Sequence, residues 1–175
     1  TVYVGAGPKI YALNGKTGTK KWEIKFEGNG LSSPVSIGVD GTIYFGSWGN
    51  KFHALDGKTG AKKWEFGIED GRVHESPTIG TDGTVYICSN DKKVYALEGK
   101  TGAKKWVFGI GSGTVSTSLI IGDDSTLYFG SFEGVGSKVY ALNEKTGSMK
   151  WGFNTLLDDS KNPDFNRPGS IVIEP

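Results

Sequence analysis

One phrase of eleven residues occurs four times along the chain, and this repetition limits the possible folds more than any other feature of the sequence. The copies read ALNGKTGTKKW from Ala12, ALDGKTGAKKW from Ala54, ALEGKTGAKKW from Ala96 and ALNEKTGSMKW from Ala141. A repeat of about 42 residues is typical of propellers and solenoids. We therefore expect most residues to serve the scaffold, and the functional residues to lie where the copies differ.

Residues 75–108 show the pattern of one repeat. Four short runs, in which apolar and β-branched residues alternate, are separated by turn residues such as Asp82 and Gly83. Four antiparallel strands per repeat, without helical periodicity, are typical of a β-propeller blade. The sequence thus predicts an all-β propeller of four-stranded antiparallel blades. Its repeats cover about residues 1–31, 32–73, 74–115 and 116–153 of one domain, 1–175.

The sequence at the two ends of the chain does not decide how the propeller closes into a ring. Thr1 falls within a repeat, so the first copy lacks an innermost strand, and we expect a trimmed, processed or partial chain. Residues 154–175 form a long connection that includes a strand pattern at 170–173. That strand either completes the first blade or begins another one.

The repeated phrase also predicts how blades pack on one another. In each copy a glycine precedes the tryptophan by four positions, and an indole that packs on a bare glycine backbone can bury about 150–250 Å² between blades. The lysines beside each tryptophan fall on the outermost strand, where we expect them to protect an exposed sheet edge. The expected docking residues are Trp22, Trp64, Trp106 and Trp151, with Gly18, Gly60, Gly102 and Gly147.

The phrase resembles the tryptophan-docking motif of the PQQ-like β-propeller repeat family, Ala-x-Asp-x-x-Thr-Gly-x-x-x-Trp. Asp56 matches the acidic position, which Asn14, Glu98 and Asn143 fill in the other copies. Propellers of this family usually have seven or eight blades. At eightfold geometry, the resemblance therefore implies that the four repeats span about half a ring. The chain is then either part of a larger propeller or one of two copies that form one ring, and a closed four-bladed ring is the third option.

Members of this family differ widely in activity. They include quinoprotein dehydrogenases and the scaffold lipoprotein of the outer-membrane β-barrel assembly machinery. The dehydrogenases imply PQQ, a calcium ion, a catalytic aspartate and often a vicinal cysteine pair, which the lone Cys88 excludes. No matching ligand set is present, so we expect no catalytic residue, no metal site and no cofactor. PQQ and calcium are expected only if the chain is part of a larger dehydrogenase.

The net charge and the hydropathy of the sequence limit the kinds of partner that we expect. The net charge of +1 gives no field that favours nucleic acid, and no apolar run approaches the 18 or so residues of a membrane span. We therefore expect protein partners, including a homodimer that completes a propeller. A location outside the cytoplasm, in the periplasm or at the cell surface, follows from the family resemblance alone.

Two connections vary among the copies, and in a propeller both open on the face around the central channel. The first joins the second and third strands, and the second leads to the next blade. His53, at a position filled by tyrosine in the other copies, is expected to be structural, and two histidines cannot assemble a zinc site. The binding residues predicted in these connections are Trp48, Asn50, Asn90, Phe132 and Glu133 in the first, and Arg72, His74 and Glu75 in the second.

The sequence therefore favours a non-enzymatic propeller that binds protein partners through one loop face. Aromatic and arginine side chains are the usual anchors of such surfaces. Two alternatives remain open at this stage: part of a quinoprotein dehydrogenase, and a carbohydrate-binding surface module in which Trp48 and Phe132 stack on sugars.

Overall fold

The computed structural model describes residues 1–26, 30–111, 113–132, 136–155 and 171–173, and every regular element in these ranges is a β-strand. The strands form four antiparallel sheets, which follow one another along the chain and which we call blades 1 to 4. Within these residues, no helix is present that could cross a membrane.

Each blade is built from consecutive strands. Blade 1 contains β1 (Val2–Ala6), β2 (Lys9–Leu13) and β3 (Lys20–Lys25). Blade 2 contains β4 (Ser36–Ile37), β5 (Thr42–Ser47), β6 (Lys51–Asp56) and β7 (Lys62–Gly67). Blade 3 contains β8 (Thr78–Ile79), β9 (Thr84–Ser89), β10 (Lys93–Glu98) and β11 (Lys104–Gly109). Blade 4 contains β12 (Thr114–Val115), β13 (Ile120–Ile121), β14 (Thr126–Phe132), β15 (Ser137–Asn143) and β16 (Met149–Thr155).

The predicted all-β propeller architecture is thus confirmed, with two local differences from four strands per blade. Blade 1 has three strands among the described residues, and in blade 4 both β12 and β13 pair with β14. Residues 171–173 belong to no strand, and Ile173 lies beside Gly122 of blade 4. A strand at 170–173 that closes blade 1 or begins another blade remains a prediction.

The hydrophobic core is divided among the spaces between blades. The second strands of blades 2 and 3 are buried along their whole length, because a neighbouring blade covers each of their faces. Between blades 1 and 2 the core includes Ile10 and Phe45. Between blades 2 and 3 it includes Phe52, and between blades 3 and 4 it includes Phe129.

The repeated phrase forms the hairpin between the third and fourth strands. In blade 2 the pairing of β6 with β7 shifts register between Ala54 and Leu55, and Ala54 stands opposite Trp64. The Asp56 carboxylate then accepts hydrogen bonds from the backbone N–H groups of Lys58 and Thr59. The aspartate or asparagine of the phrase is therefore a turn residue, since its side chain caps the hairpin.

In blades 2 to 4, the outermost strand is also bonded to the turn that precedes the second strand of the same blade. In blade 2, Lys63 donates to the hydroxyl of Thr42 at 2.5 Å and lies 3.1 Å from the carboxylate of Asp40. Hydrogen bonds from Thr42, followed by Lys63, lower the pKa of Asp40 to about 2. Lysines expected to face solvent at the edge therefore also hold the blade together. The same contacts recur with Asp82, Thr84 and Lys105, and with Asp124, Thr126 and Lys150.

Neighbouring blades are joined by the tryptophan of the phrase and by a tyrosine of the second strand. Between blades 2 and 3, the indole N–H of Trp64 and the hydroxyl of Tyr44 both donate to the carbonyl of Gly99, at 2.8 and 3.1 Å. The same ring packs against Gly102. Two donors thus converge on one main-chain carbonyl. The arrangement recurs with Trp22 and Tyr3 on Gly57, beside Gly60, and with Trp106 and Tyr86 on Glu144, beside Gly147.

The remaining two members of the predicted docking set lie in the terminal blades. A Cβ at Gly18 of blade 1 would have no atom within 4 Å, and Trp151 of blade 4 is 47 % exposed. Among the described residues, therefore, three tryptophans and three glycines of the phrase take part in junctions between blades.

Candidate functional site

Loops from blades 2 and 3 meet at Trp48, which follows β5 and is 40 % exposed. The guanidinium carbon of Arg72, in the connection to blade 3, lies 4.5 Å from the centroid of the Trp48 ring. A guanidinium over an indole is a favourable cation–π contact. The Trp48 N–H donates to the carbonyl of Gly30, so the backbone of this loop is also fixed. Both variable connections predicted from sequence therefore contribute to one surface.

Asn90, in the loop that follows β9, fixes the backbone of Arg72. The Asn90 side-chain oxygen accepts from the N–H of Arg72 at 2.6 Å, and the Asn90 N–H donates to the carbonyl of Arg72 at 3.1 Å. The next residue, Val73, is buried and bridges to Ser89. The backbone that carries the arginine is thus held from both sides.

His74 and Glu75 follow in the same connection to blade 3. His74 is exposed, and its ring stands edge-on to Trp48 with centroids 6.4 Å apart. The carboxylate of Glu75 accepts from the hydroxyl of Ser118 at 3.4 Å. We call Trp48, Arg72, His74 and Asn90 the loop cluster, and Glu75 borders it.

The other predicted binding residues lie elsewhere. Asn50 occupies a turn with φ of 57°, and its carbonyl accepts from the N–H of Ile68. Phe132 is half-buried at the end of β14, where it pairs with Thr114. Glu133 lies outside the described residues. Of the eight predicted binding residues, the structure brings four together and places Glu75 at their border.

Comparison of the copies singled out Glu75 as a variable position, but it missed the matching change at Cys88, by which blade 3 departs from its neighbours beneath the cluster. In blades 2 and 4 the hydroxyls of Ser33 and Thr117 accept from the N–H groups of Gly46 and Gly130. Aligning the repeats places Glu75 at the hydroxyl position and Cys88 at the glycine position. Both changes fall in the blade that contributes Asn90, and an alignment of the inner strands would have found the one at Cys88.

The surface of the cluster is shallow. The cavity next to it has a volume of about 40 Å³ and is lined by His74, Glu75 and Asn90 together with residues of β9 and β12. This volume suits about one water molecule. A cavity of about 470 Å³ lies between β3 and blade 2. Its lining includes His53, Ser47 and Gly49, but none of the four residues of the cluster. The cluster therefore offers a surface for a larger partner.

The side chains that could hold a metal ion lie apart from one another in the described residues. No three His, Cys, Asp or Glu side chains come together in the described ranges as a metal site. The turn aspartates are bonded within their own blades, as in the contact of Asp40 with Thr42 and Lys63. Cys88 is buried, and burial raises the pKa of its thiol.

The order of the sheets and the contacts between them define the class: a β-propeller of the PQQ-like type. A family model described as outer membrane protein assembly factor BamB matches residues 6–175, and the chain belongs to this family. No curated protein matches the chain.

Solved structures agree with this class. BamB from Moraxella catarrhalis superposes with a TM-score of 0.69 at 22 % identity, over 88 % of this chain and 49 % of that one. The quinohemoprotein alcohol dehydrogenase from Comamonas testosteroni superposes with a TM-score of 0.72 at 17 % identity, over 86 % of this chain and 33 % of that one. The quinohemoprotein alcohol dehydrogenase ADHIIG from Pseudomonas putida HK5 superposes with a TM-score of 0.74 at 17 % identity, over 88 % of this chain and 32 % of that one. At these identities the likeness concerns the fold alone, and the chain spans half or less of these relatives.

Proposed function

We propose that the chain is a non-enzymatic propeller scaffold that binds a protein partner through the loop cluster. The observation that carries this proposal is the stacking of Arg72 on Trp48, with the Arg72 backbone fixed by Asn90. An exposed aromatic and an arginine that are already ordered lose little entropy on binding, and such pairs dominate many protein interfaces.

The family supports the same proposal. Its description names an assembly factor for outer membrane proteins, which is a role among proteins. By analogy, we propose that this chain works outside the cytoplasm, in the periplasm or at the cell surface. Cell fractionation with an antibody against the chain tests the location, and recovery in the cytoplasmic fraction would contradict it.

The two alternatives have less support. For carbohydrate binding, one face of Trp48 is covered by the guanidinium of Arg72, which reduces the area available for stacking on a sugar. For a dehydrogenase, the carboxylates of Asp40, Asp82 and Asp124 are already engaged in turns. A blank glycan array would count against the first alternative. Equilibrium dialysis that finds no PQQ bound in the presence of calcium would count against the second.

We also propose that two copies join end to end into one ring. Trp151 and Tyr128 of blade 4 correspond to the donors of the internal junctions, and Gly15 of blade 1 corresponds to their acceptors. These groups lie at opposite ends of the array. The donors in blade 4 of one copy can therefore bond to the acceptor in blade 1 of the other copy. The chain covers 49 % of the Moraxella BamB chain, so two copies have about the length of that propeller.

Site-specific photo-crosslinking tests partner binding. A benzophenone amino acid replaces Trp48 in one variant and Val39 in the control, since Val39 is fully exposed and precedes the opposite end of β5. After irradiation of the cells that produce the protein, we expect one protein adduct from position 48 and none from position 39. The adduct is then identified by mass spectrometry. Equal labelling from both positions, or none from position 48, would refute the proposal.

A further inference from the structure

We infer that the loop cluster recognises a carboxylate, and that the partner places an Asp or Glu side chain on Arg72. This inference rests on the proposed function, because it assigns a chemistry to the partner of the same surface. It follows from the state of the Arg72 guanidinium in the folded chain.

The guanidinium has no carboxylate partner among the described residues. Every ion pair found in those ranges uses a lysine. The carboxylates belong to turns, to outer strands and, in the case of Glu98, to the end of β10. Arg72 is the one arginine in the described part of the chain, and the hydrogen bonds found for it involve its backbone alone. The charged end of its side chain is therefore available to a partner.

The acidic residues nearby do not neutralise Arg72. Glu75 bonds to Ser118, and Asp91 bonds to the hydroxyl of Tyr95 at 2.5 Å and lies 3.7 Å from the ammonium group of Lys93. Glu69 and Asp70 precede Arg72 in the chain, and neither forms an ion pair with it.

The position of Arg72 favours a forked contact. The Trp48 ring supports the flat guanidinium, and the donors at the rim of a guanidinium match the two oxygens of a carboxylate. His74 stands edge-on to the same ring, so the indole that supports the arginine is itself in contact with a second side chain. Because the side chain is stacked and its backbone is fixed, little order has to be gained on binding.

The test is an NMR titration of the full chain at low ionic strength. The ligands are a short peptide of alternating Glu and Gly, blocked at both ends, and the same peptide with every Glu replaced by Gln. We expect the Glu peptide to shift the Trp48 indole N–H and the Arg72 side-chain N–H signals in a saturable way, and the Gln peptide to leave them in place. Equal shifts with both peptides, or none with the Glu peptide, would overturn the inference.

Three variants distinguish a forked hydrogen-bonded contact of Arg72 from a general attraction between opposite charges. Arg72→Gln should weaken binding roughly tenfold or more, because it removes hydrogen bonds to a charged group. Arg72→Lys keeps the charge without the fork and should still lose several-fold. Lys92→Gln removes an equal charge two residues after Asn90 and should lose less than twofold. If Lys92→Gln weakens binding as much as Arg72→Gln does, the attraction is unspecific and the inference fails. Unchanged thermal unfolding temperatures verify that each variant is folded.

The titration and the crosslinking experiment can fail separately. A protein adduct at position 48 without binding of the Glu peptide would leave the scaffold function standing and remove the carboxylate inference. Specific binding of the peptide without any protein adduct would leave the carboxylate inference standing and remove the scaffold function.

Discussion

Trp64 and Trp151 occupy the same position of the repeat but have different surroundings. Trp64 is 8 % exposed, donates to Gly99 and packs on Gly102, whereas Trp151 is 47 % exposed. The motif alone therefore does not determine how much a tryptophan contributes to stability. The presence of a following blade determines it.

This difference predicts unequal effects of the same substitution. Trp64→Ala should lower the free energy of unfolding by about 3–5 kcal/mol, because it removes a buried ring and leaves a cavity. Trp151→Ala should lower it by less than about 1 kcal/mol, as is usual at exposed positions. Urea unfolding, at a dilution where the chain is monomeric, measures both. Equal losses would show that docking on a following blade is not the source of the stability.

His53 is the second residue whose surroundings decide its behaviour. It is 5 % exposed, its Nε2 lies 2.9 Å from the hydroxyl of Ser47, and its ring stacks on Phe45 with centroids 5.3 Å apart. Burial lowers the pKa of His53 from 6.5 to about 4. A protonated imidazole would lose its hydration at this site.

The low pKa predicts acid sensitivity. Between about pH 6.5 and pH 4 the unfolded chain takes up a proton at His53 that the folded chain excludes, so stability falls as the pH is lowered through this window. Over the whole window the loss is about 3 kcal/mol, and above it this residue contributes no pH dependence. His53→Phe should reduce the loss, whereas His74→Gln, at an exposed histidine, should retain it. Urea unfolding over this pH range tests both variants, and an unchanged slope in His53→Phe would contradict the assignment.

At the residue scale, the sequence predicted part of the loop cluster. Trp48 and Arg72 stood out because the copies differ there. Their stacking could not be predicted, since it depends on how loops of neighbouring blades meet in space. Asn90 was selected for its place in a variable loop, yet its contact with the Arg72 backbone belongs to a pair of residues 18 positions apart.

At the scale of strands and turns, the glycines of the phrase show why the hairpin requires them. Gly18 and Gly102 both have positive φ, 71° and 74°. A Cβ at Gly18 would meet no atom within 4 Å, whereas one at Gly102 would stand 2.6 Å from Cε3 of Trp64. Backbone strain is thus common to both positions, and the steric clash is confined to Gly102.

The two glycines form a matched pair for mutation. Gly18→Ala should cost about 1–2 kcal/mol, which is the strain of a left-handed residue. Gly102→Ala should cost about 1–3 kcal/mol more, because the added methyl displaces the docked indole. Thermal unfolding of both variants measures the difference. If the two variants lose the same stability, the close approach of Trp64 to Gly102 does not contribute.

Most strands could be predicted, because alternating apolar residues and glycine-rich turns encode them locally. The strands at the inner edge of each blade were harder to predict from the sequence. In blade 4 it is divided into β12 and β13, and between them the hydroxyl of Thr117 accepts the N–H of Gly130. A side chain that replaces a backbone partner leaves no periodic signal. The bonds from the edge lysines to Thr42 and its counterparts were also missed, because they join positions about 21 residues apart.

At the scale of the whole molecule, the two ends of the array predict association. If Trp151 of one copy docks beside Gly18 of another, the mass in solution should be twice 18.7 kDa. Trp151→Ala should then shift the mass towards that of one chain, whereas Trp48→Ala, on the loop face, should not. Light scattering coupled to size exclusion measures all three. A single-chain mass at every concentration would exclude the two-copy ring.

The number of blades in the assembled ring is a property that local sequence does not encode. Each junction, such as that between Trp64 and Gly102, involves neighbouring blades only. Repeat arrays of this kind gain stability from nearest-neighbour contacts. The sequence could therefore predict the class of fold and the junctions, but not how many junctions complete the circle.

The acceptor at each junction has a consequence for how such chains change over generations. The indole and the phenol bond to a main-chain carbonyl, and the residue that bears it is glycine at 57 and 99 but glutamate at 144. Neither bond depends on the side chain of the acceptor residue, so both can form again when a unit of about 42 residues is copied, removed or moved. Genes that encode such blades can thus lengthen or shorten by duplication and deletion of whole units while these two bonds are kept at each joint.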